Sequence, residues 1–390
     1  MQFTDYYTFL KTVFHPEEER NQIPGSQTEI RFCLFSSPAE ISAETEILQV
    51  IRRDLEETNG DQSILENHTF YYPVFMPAGM QVCDRAILLL HGLNERKWDK
   101  YLAWAQYLVE NTGKAVILFP TSFHINRGPN QWFDPRKLSQ QVEDRKKKYT
   151  GLIESTFANL TLSERLTDCP ERFFLSGLET ANDLVSLLRQ IRIGKHPNFK
   201  QGTQLDIFAY SIGGLLAQVL KMASPEGLLD DSKLLLFCAG SVFQDMNGVS
   251  RVIMDSTANE RIHRYYEFEM EDQISKPGIL HDFFHESKIA RAFRAMIAYQ
   301  RHQEEREKSL QAFSGQVYAI GLRDDKVIPS LKILKTISLR EKSIWPKIDI
   351  LHFDYPYTHE MPFPTKIRGV EQKVNEAFSL IFGRAAAFLA

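Results

Sequence analysis

The sequence predicts an α/β protein, a mostly parallel sheet covered by helices on both faces. Short apolar runs rich in β-branched and aromatic residues recur along the chain, and the stretches between them carry apolar residues at helical spacing. Length sets the scale. With 390 residues, 43% hydrophobic and 25% charged, the chain has the composition of a globular protein large enough for one big domain with insertions.

The first 20 residues place Phe3, Tyr6, Tyr7, Leu10, Val13 and Phe14 on one helical face and lack a basic leader, so residues 1–27 are expected to form a helical extension. A single domain over 28–390 is expected to follow. Its sheet is expected to have eight strands: Ile30–Phe35, Thr69–Met76, Ala86–Leu90, Ala115–Phe119, Leu205–Tyr210, Leu234–Cys238, Val317–Gly321 and Ile348–Phe353. Helical spacing marks Asp99–Glu110, Thr180–Ile193, Gly214–Met222 and Val370–Phe382. Two connections, Thr121–Glu179 and Val242–Phe313, are far longer than α/β units need. Both leave the same edge of a parallel sheet and hold helix-like segments, Gln140–Asn159 and Glu286–Gln311. They are therefore expected to be helical cap insertions at about 121–179 and 242–313. The charge runs Arg145–Lys148 and Glu304–Lys308 read as solvated helix faces.

Several function classes are disfavoured by composition and motif. A net charge of -4 and a pI near 6.3 give no basic excess to neutralise phosphates, so no nucleic-acid partner is expected. Cys33, Cys83, Cys169 and Cys238 have no CxxC spacing and read as small core residues. No stretch reaches the roughly 18 to 20 apolar residues of a transmembrane segment, and a cytoplasmic location is expected. Neither a G-x-x-x-x-G-K-S/T loop nor a G-x-G-x-x-G turn occurs, so no nucleotide cofactor is expected. His281 and His285 are four apart, but Asp282 stands where a metalloprotease needs Glu and no third ligand follows; no metal is expected.

The chemistry-bearing motif is Phe208-Ala209-Tyr210-Ser211-Ile212-Gly213-Gly214. A strand-like run ends abruptly at Ser211 and a helical run begins at once. A serine on such a turn is presented in a strained backbone with its hydroxyl free, provided the residues two before and two after it are small, as Ala209 and Gly213 are. The helix that starts there adds free N–H groups and a positive dipole end, which favour an anion formed in acyl transfer. A small-x-Ser-x-Gly string alone arises by chance in roughly one chain in four of this length, so the strand-to-helix setting carries the inference. The plainer alternative is that Ser211 to Gly214 only permit tight strand-helix packing.

With this elbow after the fifth expected strand, the chain resembles the α/β-hydrolase superfamily over roughly Thr28 to Phe382, apart from the two insertions, and within it a bacterial esterase-like serine hydrolase family. Ala209 departs from the family's usual first glycine, a change a methyl group allows. The resemblance implies an oxyanion site. His91-Gly92-Leu93 closes the third strand, where the family has its second donor, so the backbone N–H groups of Leu93 and Ile212 would hold the oxyanion, each worth about 3 to 4 kcal/mol. His91 itself would shape the turn.

Leu322-Arg323-Asp324-Asp325-Lys326-Val327-Ile328-Pro329 is similar to the family's Asp-x-x-Val-Pro acid loop, in the expected order Ser, Asp, His. Counting back from Pro329 favours Asp325; counting forward from Gly321 favours Asp324, the alternative acid. Two histidines compete for the base. His352 alternates with apolar residues inside the last strand, whereas His359 lies on the loop beyond it and can reach Ser211, so His359 is preferred. His124, Arg127 and Trp132, with Asp134, follow the fourth strand at the active-site edge. They line a pocket, or Arg127 and Asp134 only brace the first insertion. The expected activity is that of a cofactor-free serine hydrolase of the esterase, lipase or thioesterase kind acting on a small acyl substrate. An acyltransferase with the same triad and a non-catalytic binding protein are the alternatives.

Overall fold

The computed structural model describes residues 2–38, 60–338 and 346–390. Among the described residues nine strands form one sheet: β1 (Arg20–Gln22), β2 (Thr28–Ser36), β3 (Thr69–Pro77), β4 (Cys83–Leu90), β5 (Ala115–Phe119), β6 (Phe199–Tyr210), β7 (Leu234–Phe237), β8 (Val317–Leu322) and β9 (Lys347–Leu351). Their order is β1-β2-β3-β5-β4-β6-β7-β8-β9. The pairings of β1 with β2, β2 with β3 and β3 with β5 are antiparallel, and all those from β5 through to β9 are parallel. The eight expected runs are all strands. The ninth, β1, is a three-residue polar edge strand on β2, too short to show a period, and it adds a strand to the N-terminal 27 residues.

Alternation along the central strands accounts for burial on both faces. In β4, Ala86, Leu88 and Leu90 enter one core while Ile87 and Leu89 enter the other, and β5 divides the same way. The first core is covered by α5 (Glu171–Arg192) and α6 (Ile212–Ala223), the second by α1 (Phe3–Val13), α2 (Asp99–Thr112) and α12 (Glu371–Leu389). Between them, in chain order, lie α3 (Pro135–Lys148), α4 (Leu160–Asp168), α7 (Ser256–Arg264), α8 (Ile279–Glu286), α9 (Lys288–Ala295), α10 (Gln303–Ala312) and α11 (Ser330–Ile337).

Helix boundaries in the two long connections differ from the sequence reading. Of the helix expected at Gln140–Asn159 only the part up to Lys148 is helical: α3 starts at Pro135, where the Asp134 side chain accepts from the Arg136 amide, and ends at Lys148, with Tyr149 as its C-cap. The helix expected at Glu286–Gln311 is broken into α9, α10 and the end of α8, since Ser287 caps α9 and His302 takes a φ of 51° before α10. The charge runs are not simply solvated: Arg145 is buried against Asp255 at 2.6 Å, and Arg306 is buried, donating to the carbonyls of Ala295 and Ala298. Arg145 and Asp255 therefore tie the two connections together, as does the bond from Asn159 Nδ2 to the Ser250 carbonyl at 2.8 Å. The four cysteines are free. No helix among the described residues is long and apolar enough to cross a membrane.

Candidate active site

Ser211 sits between β6 and α6 with φ 58° and ψ -130°, a conformation costly for a residue with a side chain. Tight packing imposes it. A Cβ at Gly213 would lie 2.7 Å from the Leu90 carbonyl oxygen, and one at Gly214 would lie 2.4 Å from Ala239 Cβ, so only glycine lets α6 approach β4 and β7 this closely. The Gly214 amide donates to the Ser211 carbonyl at 2.9 Å, starting the helix.

Two residues from the far end of the chain meet this turn. His359 Nε2 lies 2.7 Å from Ser211 Oγ, and His359 Nδ1 lies 2.7 Å from Asp325 Oδ2. The other oxygen, Asp325 Oδ1, accepts from the Val327 and Ile328 amides at 2.9 Å each, which fixes the carboxylate in the turn between β8 and α11. Because Oδ2 can only accept from His359 Nδ1, the proton sits there and Nε2 faces Ser211 as an acceptor. All three side chains are buried.

Further residues surround this row. The Tyr210 hydroxyl donates to the His359 carbonyl, and the Tyr210 ring stacks on the imidazole at 5.5 Å. Lys100 Nζ donates to the Glu360 carbonyl at 3.0 Å, pinning the next residue. Cys238, just past β7 at φ 48°, is held a neutral thiol by burial and by the charge of Asp325. Glu95 accepts from the Tyr101 hydroxyl, which in turn accepts from the Gly92 amide at 3.0 Å. Tyr210 is the one that could have been found, since the residue before an elbow serine points to the opposite face of the sheet from Ala209 and must pack there.

The rival acid and base pair with each other. Strand β9 ends at Leu351, so His352 is not locked in the sheet as its alternation suggested; it is exposed, with Nδ1 3.2 Å from Asp324 Oδ2. Neither bonds to Ser211.

His91 is fully buried. Its Nδ1 donates to the Gly92 carbonyl and its Nε2 accepts from the Thr121 amide at 2.9 Å, and burial lowers its pKa to about 4. Both ring atoms thus shape the turn that carries Leu93. Leu93 and Ile212 line a common apolar cavity whose walls include Phe173, Leu216, Val219 and Phe293. A second, more polar opening is lined by Leu93, Ser211 and His359 together with Lys100 and Glu360.

The three pocket candidates separate. His124 lines the apolar cavity and a polar branch beside it; Trp132 lines that branch. Arg127 is buried elsewhere, donating to Asp183 at 2.7 Å and to the carbonyls of Asn67 and Pro120, and it braces the chain after β5. Asp134 caps α3.

Among the described residues, ligand atoms of Cys238, Asp325 and His359 lie within 4.8 Å of one another. Asp325 and His359 already bond to each other, to two amides and to Ser211, so a metal ion there would have to displace that row. His281 and His285 give their Nδ1 atoms to the carbonyls of Ile274 and His281.

The family described as "Family of unknown function (DUF6051)" matches residues 1–390. No curated protein matches the sequence. Solved structures that align with the chain include carboxyl esterase 2 from the mycorrhizal fungus Tuber melanosporum, at 11% identity, covering 95% of this chain and 89% of that one with a TM-score of 0.44. A cold-adapted esterase from an Arctic intertidal metagenomic library aligns at 13% identity over 93% and 95% of the two chains, TM-score 0.40. So does a putative dipeptidyl aminopeptidase IV from Bacteroides ovatus, at 13% identity over 93% of this chain and 36% of that one, TM-score 0.41.

Proposed function

The chain belongs to the family DUF6051, and from the arrangement around Ser211 we propose that it is a serine hydrolase of α/β-hydrolase type that cleaves a carboxylic ester or related acyl bond. One observation carries this reading: an unbroken row in which Ser211 Oγ, at a strained elbow, lies 2.7 Å from His359 Nε2, itself backed by Asp325 at 2.7 Å. In the first step Ser211 Oγ adds to the acyl carbon as His359 Nε2 takes its proton, and the carbonyl electron pair moves onto oxygen. The amides of Leu93 and Ile212 hold that oxyanion. Collapse expels the alcohol or thiol, which receives the proton from His359. Water then adds to the acyl-enzyme as His359 takes its proton, and collapse breaks the acyl–Oγ bond, with His359 returning the proton to Ser211 Oγ as the acid leaves. Asp325 keeps the imidazole in its tautomer and stabilises the imidazolium.

His359 delivers the leaving-group proton and lines the polar opening, so the leaving group lies there and the acyl group in the apolar cavity. That cavity measures about 70 Å³. At the roughly 10–15 Å³ that one water requires, it holds about five to seven water-sized groups, which suits a short acyl chain. The connections tied by Arg145 and Asp255 serve as the cap, with Val252 and Ile253 at the opening.

Fluorophosphonate labelling followed by peptide mapping tests the proposal. Modification of Ser211, absent in Ser211→Ala, is expected; labelling elsewhere, or labelling that survives the substitution, overturns it. An absolute requirement for an acceptor alcohol would make the enzyme an acyltransferase.

A further inference from the structure

The polar branch beside the apolar cavity holds two buried polar atoms that nothing among the described residues satisfies. Arg96 Nε and His124 Nε2 both lack a hydrogen-bond partner, and both residues line the branch. Their chemistry is complementary. His124 Nδ1 lies 2.8 Å from the Ser122 carbonyl, which can only accept, so the ring proton is on Nδ1 and Nε2 is a bare acceptor. Arg96 Nε is a charged donor. Buried polar groups are normally satisfied, and an unmet one costs enough that a ligand or ordered water is the usual completion.

Charge selects between those completions. Arg96 donates Nη2 to the carbonyls of Phe157 and Ala158 and lies 5.3 Å from the Phe133 ring centroid, but no carboxylate among the described residues pairs with it. Its neighbour Glu95 also lines the branch, but Lys100 offsets its charge at 2.5 Å, so it leaves the balance of the guanidinium groups unchanged. Arg165 and Arg172 also line the branch, and both share the single carboxylate of Asp61, at 2.7 and 2.8 Å. Three guanidinium charges against one carboxylate leave two positive charges facing a partly desolvated space, which water does not neutralise and an anion does. The space is about 40 Å³, which by the volume a water needs holds roughly three or four small atoms, the size of a carboxylate or phosphate group. It opens to Leu93 and Arg96, which also line the opening at Ser211.

Building on the hydrolase reading above, we propose that the substrate is an anionic ester whose carboxylate or phosphate group docks at Arg96 in this branch. His124 accepts from a hydroxyl or bound water on the same group. Arg96 is a specificity residue in this scheme and takes no part in the proton transfers.

Binding to full-length Ser211→Ala protein, measured by calorimetry at low salt, tests this without any turnover. The probes are adipamate against hexanamide for the carboxylate, and glycerol 3-phosphate against glycerol for the phosphate. At least one anion is expected to bind about tenfold or more tightly than its neutral counterpart, with the gap closing as salt is raised. Whichever pair shows the gap identifies the anion. Arg96→Met is expected to abolish the gap and Arg96→Lys to restore part of it. Equal binding within both pairs, or a gap that persists in Arg96→Met, overturns the proposal. Loss of Ser211 labelling with the anion gap intact would instead remove the hydrolase reading and leave the anion site standing.

Discussion

Two aspartate–histidine pairs join the loop after β8 to the segment after β9, built from adjacent aspartates. Asp325 and His359 are 2.7 Å apart and almost wholly buried, with side chains 0% and 2% exposed. Asp324 and His352 are 3.2 Å apart and stand in water, at 54% and 42%. The residue types are the same, so environment makes the difference. In the buried pair every side-chain oxygen and nitrogen is engaged, since Asp325 also accepts from two amides and His359 also bonds Ser211. In the exposed pair solvent competes for both partners and screens their attraction. The contrast teaches that the same two residue types are held in one fixed geometry only where the fold removes water.

The largest expected effects set the histidines against each other. His359→Gln should lower kcat/KM for an activated ester by about 10⁴ to 10⁶, whereas His352→Gln should change it by less than about twofold. Comparable losses from both would break the contrast. For the acids, Asp325→Asn should cost about 10⁴ through the wrong tautomer, against a few-fold at most for Asp324→Asn; a larger loss at Asp324 would transfer the acid role to it.

Stability extends the comparison beyond the site. Arg127 and Asp183 form a buried pair, and Lys147 and Asp144 an exposed one. Arg127→Met should destabilise by about 3–5 kcal/mol because it strands a buried carboxylate, and Lys147→Ala by less than about 0.5 kcal/mol. Urea denaturation of the two variants measures both.

The most gradual effect comes from pH. Burial holds His91 and His196 at about 4 and His124 at about 3, below the ordinary 6.5. Between pH 6.5 and about 4 the unfolded chain therefore binds protons that the folded chain refuses, so stability present above pH 6.5 is lost as pH falls through that window. The urea midpoint should fall from pH 7.5 to pH 5, and His196→Gln should flatten the decline. A midpoint rising toward pH 5 would contradict the buried, neutral state of these rings.

Some of this was open to inspection in the chain itself. The α/β class and all eight expected strands were legible because pairing and two-sided burial impose a period on local sequence, as in β4 and β5. Strand β1 escaped, being short and polar at an edge. The elbow at Ser211 was legible as a candidate because strand, serine, glycines and helix are contiguous. The helix breaks at Ser287 and His302 were not, since a cap and a single positive φ leave helical composition on either side unchanged.

What the sequence by itself determined is therefore local: the order of elements, the turn at Ser211, and the loops that had to supply a carboxylate and an imidazole. Only the tertiary structure decided which aspartate and which histidine meet the serine, for His359 lies 148 residues from Ser211 and 34 from Asp325. A one-residue choice between Asp324 and Asp325 is invisible to composition or period. It is resolved by which carboxylate the amides of Val327 and Ile328 turn inward, and by Tyr210 and Lys100 holding the backbone around His359. The same holds for Arg96, Arg127 and Arg145: three arginines alike in sequence, of which two have buried carboxylates and one faces the branch cavity with none among the described residues.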